Sequence, residues 1–149
     1  MNAEQMWKEF IKVNPTYEGV SYDTFSFGNT DEMADELAEL VKNGEKTATS
    51  SGYCFYEMEG EELPKVGKLS IVLNAKDGAE CIILTNKVYV IPFNEVSGEH
   101  AYKEGEGDRS LAYWREGHQN FFTEVLAPYE VEFDEQMLIV CEEFETIWK

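Results

Sequence analysis

The sequence is short of positive charge: 12 Lys and Arg stand against 30 Asp and Glu, a formal net charge of −18. Binding to a nucleic-acid duplex rests largely on Lys and Arg neutralising phosphates, so duplex DNA and anionic membranes are not expected partners. Cysteine pairs are also missing. Cys54, Cys81 and Cys141 are odd in number, far apart and set among apolar residues, with no CxxC and no His/Cys pairing. A zinc site therefore has no support, and buried, reduced thiols are expected. No apolar run approaches the ~20 residues of a membrane-spanning helix, and no signal-peptide pattern opens the chain, so the expected location is cytoplasmic. No metal or cofactor is called for. Repeats, low-complexity tracts and linkers are absent as well, and 149 residues at 43% hydrophobic content suit a single domain, 1–149, able to bury a real core.

What is present reads as alternating helices and strands. Residues 2–13 form a helix capped by Asn2, with Met6, Trp7, Phe10 and Ile11 on one stripe and a stop at Asn14-Pro15. Tyr22 to Phe27 alternates as a strand. Thr30 is the N-cap of a second helix, with Asp31 and Glu32 in its first turn, Met33, Leu37, Leu40 and Val41 at helical spacing, and Gly44 closing it. Thr47 to Tyr56 is strand-like in composition and Glu57 to Glu62 is an acidic loop. Lys68–Asn74, Ala79–Thr85 and Lys87–Phe93 read as further strands, with a tight turn at Lys76-Asp77-Gly78. Gln136–Trp148 supplies a closing strand or pair of strands, with Leu138, Val140 and Phe144 inward. Asp108 is placed to cap a helix from Arg109 that ends at Pro128. The fold class is α+β: a small closed or half-closed β-barrel of five to six strands decorated by helices.

Two stretches concentrate chemistry. Asn43 to Ser51 leads from a helix end into a strand, with Lys46 and Thr49 three residues apart. Such residues face opposite ways in a strand and share a side only across a turn, which Gly44 permits. Lys46 also starts near the negative end of the second helix, which favours its ammonium form. The other stretch, His100 to Asp108, interleaves glycines with acids; with Arg109 and His118 it holds both histidines of the chain.

The hexapeptide Gly44-Glu45-Lys46-Thr47-Ala48-Thr49 resembles the Gly-x-Lys-x-x-Thr signature of the ASCH family (activating signal cointegrator homology), a β-barrel related to the PUA fold. The strand at Thr24–Gly28, the helix at Asp31–Val41, the segment Glu104 to Leu111, Trp114-Arg115, and His118 with Phe121-Phe122 look like bacterial members in the same order, so the resemblance covers nearly the whole chain. It implies a single PUA-like domain. Family members are described as RNA-binding modules, as amidohydrolases that deacetylate N4-acetylcytidine, and as ribonucleases. The leading expectation is a small amidohydrolase acting on an acylated nucleoside. The alternatives are a non-catalytic RNA-binding or nucleotide-sensing module and a ribonuclease. The partner is then a small-molecule nucleoside or single-stranded RNA.

For the amidohydrolases the signature Lys and Thr and a downstream Glu carry the chemistry. The matching residues are Lys46, Thr49 and Glu104, with Glu106 as the competing acid. Thr49 attacks the acyl carbonyl in this scheme, and Lys46 acts either as base or, if charged, as oxyanion stabiliser with Glu104 as the base. Tyr53, Tyr56, Tyr102 and Trp114 are candidates for stacking on a base. Asp108 and Arg109 either line the same mouth or cap and pair locally.

Overall fold

The computed structural model describes residues 1–149. Five strands, β1 (Asp23–Phe25), β2 (Ala48–Gly52), β3 (Leu69–Leu73), β4 (Ala79–Pro92) and β5 (Leu138–Trp148), form one sheet in the order β1-β3-β4-β5-β2. Only the β1–β3 pair is parallel. Five helices pack around it: α1 (Ala3–Val13), α2 (Asp31–Lys42), α3 (Tyr53–Glu59), α4 (Gly98–Glu104) and α5 (Leu111–Leu126). The two edge strands face one another across a common recess that both of them line, so the sheet curls into a half-barrel rather than a closed one.

Side chains alternate across the sheet, and register assigns the two faces. Leu69, Ile71 and Ile82 point outward beneath Met6, Trp7 and Phe10 of α1. Ile139 and Cys141 point outward beneath Trp114, Phe122 and Leu126 of α5. Val72, Ile83 and Phe144 point inward, where Leu37, Ala38 and Val41 of α2 close one end of the half-barrel with Phe27. All three cysteines are free. Cys81 and Cys141 are buried and Cys54 half-buried, and burial pushes the Cys81 and Cys141 thiols up to about 12.

Four expectations are corrected. Residues 53–56, read as strand, and 57–59, read as acidic loop, together form α3, because β2 pairs only as far as Gly52 and Gly60 in the left-handed region closes a helix behind it. Residues 79–92 form one strand, which passes the polar Asn86-Lys87 pair through a register shift between Thr85 and Lys87. The cap of α5 is Ser110, not Asp108: the Ser110 hydroxyl accepts from the Tyr113 amide, and Arg109 is turned out of the helix at φ 67°. Of the residues expected inward on β5, Val140 and Phe144 are buried and Leu138 is exposed.

Candidate functional site

The end of α2 launches the site. Gly44 takes φ +78°, and the amides of Gly44 and Glu45 bond back to the carbonyls of Val41 and Leu40. This paired closure, the Schellman motif, ends the helix and reverses the chain. The segment that follows is stitched to the end of α4. Thr47 donates its amide to the Lys103 carbonyl at 2.7 Å, and the Arg109 guanidinium donates to the carbonyls of Glu45 and Tyr102. Gly105, at φ +74°, sits where the two backbones touch, and a Cβ there would run into the Glu45 carbonyl.

This junction buries Lys46, which is 1% exposed. Its Nζ donates to Glu104 Oε1 at 3.3 Å and Glu106 Oε2 at 3.2 Å, and lies 5.3 Å from the centre of the Phe27 ring. Glu104 is equally buried. Its Oε1 is also approached by His118 Nε2 at 3.4 Å. Its Oε2 takes the Ser50 hydroxyl at 2.6 Å, the Trp114 indole N–H, and His100 Nε2 at 3.0 Å. Burial alone would push the Glu104 carboxyl up, but the Lys46 and His118 charges and the histidine hydrogen bonds hold it well below the usual carboxylate range. A carboxylate has about four lone-pair positions, so Glu104 is saturated. Glu106 differs: its side chain is 25% exposed.

His118 stacks on the Trp114 indole with centroids 4.2 Å apart and bonds the Trp114 carbonyl through Nδ1 at 2.9 Å. Burial works against its charged form, yet Glu104 and Glu106 raise it above the ordinary histidine range. His100 Nε2 lies 2.7 Å from Ser50 Oγ, while His100 Nδ1 is buried without a partner. An orphaned N–H is costlier than an unused lone pair, which assigns the proton to Nε2. His100 thus donates toward Ser50 and Glu104, and it is not a base for Ser50. Ligand atoms of Glu104, Glu106 and His118 lie within 4.8 Å of one another. A divalent cation among them would compete with the Lys46 ammonium for the same two carboxylates.

These groups line a cavity of about 190 Å³ together with Thr49, Phe27, Tyr113 and Phe121. Of the residues singled out in the sequence, Lys46, Thr49, Glu104, Glu106, Trp114 and His118 meet here. Tyr53, Tyr102, Asp108 and Arg109 do not line it. Tyr53 opens α3. Tyr102 is exposed, with the Arg109 guanidinium 3.8 Å from its ring centre. Asp108 accepts from the Ser110 amide. Tyr56 lies in a neighbouring recess. Ser50, Phe27 and Tyr113 were not singled out, and Phe121 was named only as part of the resemblance. Ser50 was legible in principle, because it follows Thr49 in β2 and so faces the opposite side, toward α4.

The ASCH domain model matches residues 23–148. An ASCH domain from Lactobacillus crispatus JV V101 is 33% identical, superimposes with a TM-score of 0.92, and the match covers 98% of this chain and 94% of that one. Protein EF3133 from Enterococcus faecalis V583 is 39% identical with a TM-score of 0.89, over 99% of this chain and 88% of that one. Hypothetical protein PH0355, at 18% identity and a TM-score of 0.56, covering 85% of this chain and 100% of that one, shares the fold. No curated protein matches the sequence. The signature glycine, lysine and threonine, the curled five-stranded sheet and these matches lead to one conclusion: the chain belongs to the ASCH domain family.

Proposed function

We propose that this protein is a small amidohydrolase that removes the acyl group from an acylated nucleoside of the N4-acetylcytidine type. The observation that carries the reading is the meeting of a buried lysine, two carboxylates and an uncommitted threonine hydroxyl in one cavity. Lys46 donates to two carboxylates, so its role is that of a fixed positive charge opposite the developing oxyanion. Glu104, with every lone pair occupied, positions Lys46. Glu106 keeps free lone pairs and some exposure, so it is the base that takes the proton from the nucleophile. The Ser50 hydroxyl is committed to Glu104 and His100, which leaves Thr49 as the attacking hydroxyl. Glu106 returns that proton to the nitrogen as the C–N bond breaks and the nucleobase leaves as its amine; water, deprotonated by Glu106, then releases the acyl group as the acid and restores the Thr49 hydroxyl.

Polymer binding is less favoured, because the cations available for it do not gather. Lys46 is buried between acids, Arg109 clamps two carbonyls, and Arg115 donates to the Asn94 carbonyl. The test is to incubate the protein with N4-acetylcytidine and, separately, with single-stranded RNA. Release of cytidine and acetate is expected, with little response to salt. Lys46→Met and Glu106→Gln should each lower kcat by about 10²-fold or more. Full activity in Lys46→Met, or cleavage of RNA with the nucleoside left intact, would sink the reading.

A further inference from the structure

The cavity around Lys46, at about 190 Å³, is smaller than the ~300–1,000 Å³ of typical small-molecule sites. A nucleoside must therefore extend beyond it. The cavity shares Phe27, Gly28, Thr49 and Ser50 with a recess of about 760 Å³ on the concave side of the sheet. Register places Thr49 opposite Glu142, and residues directly opposite hold their Cβ atoms ~4.5–5.5 Å apart. A group bound at Glu142 is thus adjacent to Thr49, which lines both cavities.

The inward positions of a small barrel are normally filled with packed side chains. Here three of the buried inward positions are polar: Ser70, Thr85 and Glu142, exposed by only 1%, 2% and 9%. The Ser70 hydroxyl is buried and has no hydrogen-bond partner, which costs stability unless a ligand supplies one. Lys68 Nζ stands 3.9 Å from Glu142 and 3.4 Å from Asp23, so its charge is shared. Burial pushes the Glu142 carboxyl up despite Lys68, and Asp23 adds to that rise. An unpaired Ser70 hydroxyl and a buried Glu142 carboxyl on the floor of one recess, with Phe25 and Tyr56 on its walls, describe a place that a hydroxyl-bearing ligand completes.

Resting on the amidohydrolase reading, we propose that this recess seats the non-reacting half of the substrate, an uncharged sugar whose hydroxyls bond Glu142 and Ser70. The charged side chains of the recess are Asp23, Glu61, Glu62 and Glu142 against Lys65 and Lys68, so a phosphate on that sugar is repelled. The site distinguishes a free nucleoside from a nucleotide or an RNA residue.

The test titrates the full chain with cytidine and with cytidine 5′-monophosphate, following backbone amide resonances. Cytidine should shift Ser70, Thr85 and Glu142. The monophosphate should bind at least tenfold more weakly, and Ser70→Ala and Glu142→Gln should each weaken cytidine several-fold while leaving the Lys46–Glu104 resonances in place. Equal affinity for the monophosphate, no cytidine binding, or shifts confined to the Lys46 cavity would overturn the proposal. The two readings separate cleanly. A protein that binds cytidine in the recess but leaves N4-acetylcytidine intact loses the hydrolase and keeps the sugar site. One that hydrolyses it while cytidine shifts only the Lys46 cavity does the reverse.

Discussion

Replacing Glu104 by Gln leaves Lys46 buried with only Glu106 to answer its charge, and strips His118 of its nearer partner. Breaking one side of a buried ion pair costs about 3–5 kcal/mol, and urea unfolding at pH 7 should show a loss of that order for Glu104→Gln. The pH dependence has a definite sign. The Glu104 carboxyl is lower in the folded chain than in the unfolded one, so its contribution is present above the unfolded value of ~4.3 and disappears as pH falls through the folded value. The gap between wild type and Glu104→Gln should therefore narrow in acid. His118 runs the other way: its folded value is raised, so its contribution is complete below ~6.5 and fades as pH rises past the folded value. His118→Gln should destabilise more at pH 6 than at pH 9 in the same assay. Lys46, Thr49 and Glu104, with Glu106 as the competing acid, were named from the resemblance to the family signature, and Trp114 as an aromatic in the helix that follows. Ser50 could have been placed by alternation from Thr49, but Phe27 and the inward Ser70 and Glu142 were not legible, because only strand register and helix docking decide what they face.

Among the elements, the join between α2 and α4 fixes the site, and two glycines carry it for different reasons. At Gly44 a Cβ would meet nothing within 4 Å, so Gly44→Ala costs only the left-handed backbone, about 1 kcal/mol. At Gly105 a Cβ meets the Glu45 backbone, which cannot rotate away as a side chain can. Gly105→Ala should cost about 3 kcal/mol or more and displace Lys46 from its carboxylates. Thermal unfolding of the two variants, read beside their kcat on N4-acetylcytidine, checks the difference; equal losses would contradict it. Helices α1 and α2 were readable from their caps and spacing, since Asn2 and Thr30 do accept from the amides expected of them. Helix α3 was not, because Tyr53, Cys54, Phe55 and Tyr56 suit a strand locally and only the end of pairing at Gly52 decides otherwise. The helix from 111 to 126 was found but its cap was misplaced, since Asp108 and Ser110 are both good cap residues and Arg109 at positive φ separates them.

For the whole molecule, a formal charge of −18 means self-repulsion in the folded state that salt screens. The melting temperature should rise by a few degrees between ~10 mM and ~500 mM sodium chloride, measured by circular dichroism; a fall would mean that the internal ion pairs outweigh the surface field. The family match starts at residue 23, just beyond α1, yet Met6, Trp7 and Phe10 of that helix cover Leu69, Ile71 and Ile82. The Met1 carbonyl also accepts the Ala79 amide at the start of β4. A version cut back to the matched span would keep Lys46, Glu104 and Glu106 but lose Val20, Ser21 and Tyr22 from the wall of the recess, while baring a greasy outer wall. Such a protein would stay dispersed when dilute and clump when concentrated, so the first helix serves as the shield that keeps an apolar sheet face out of water.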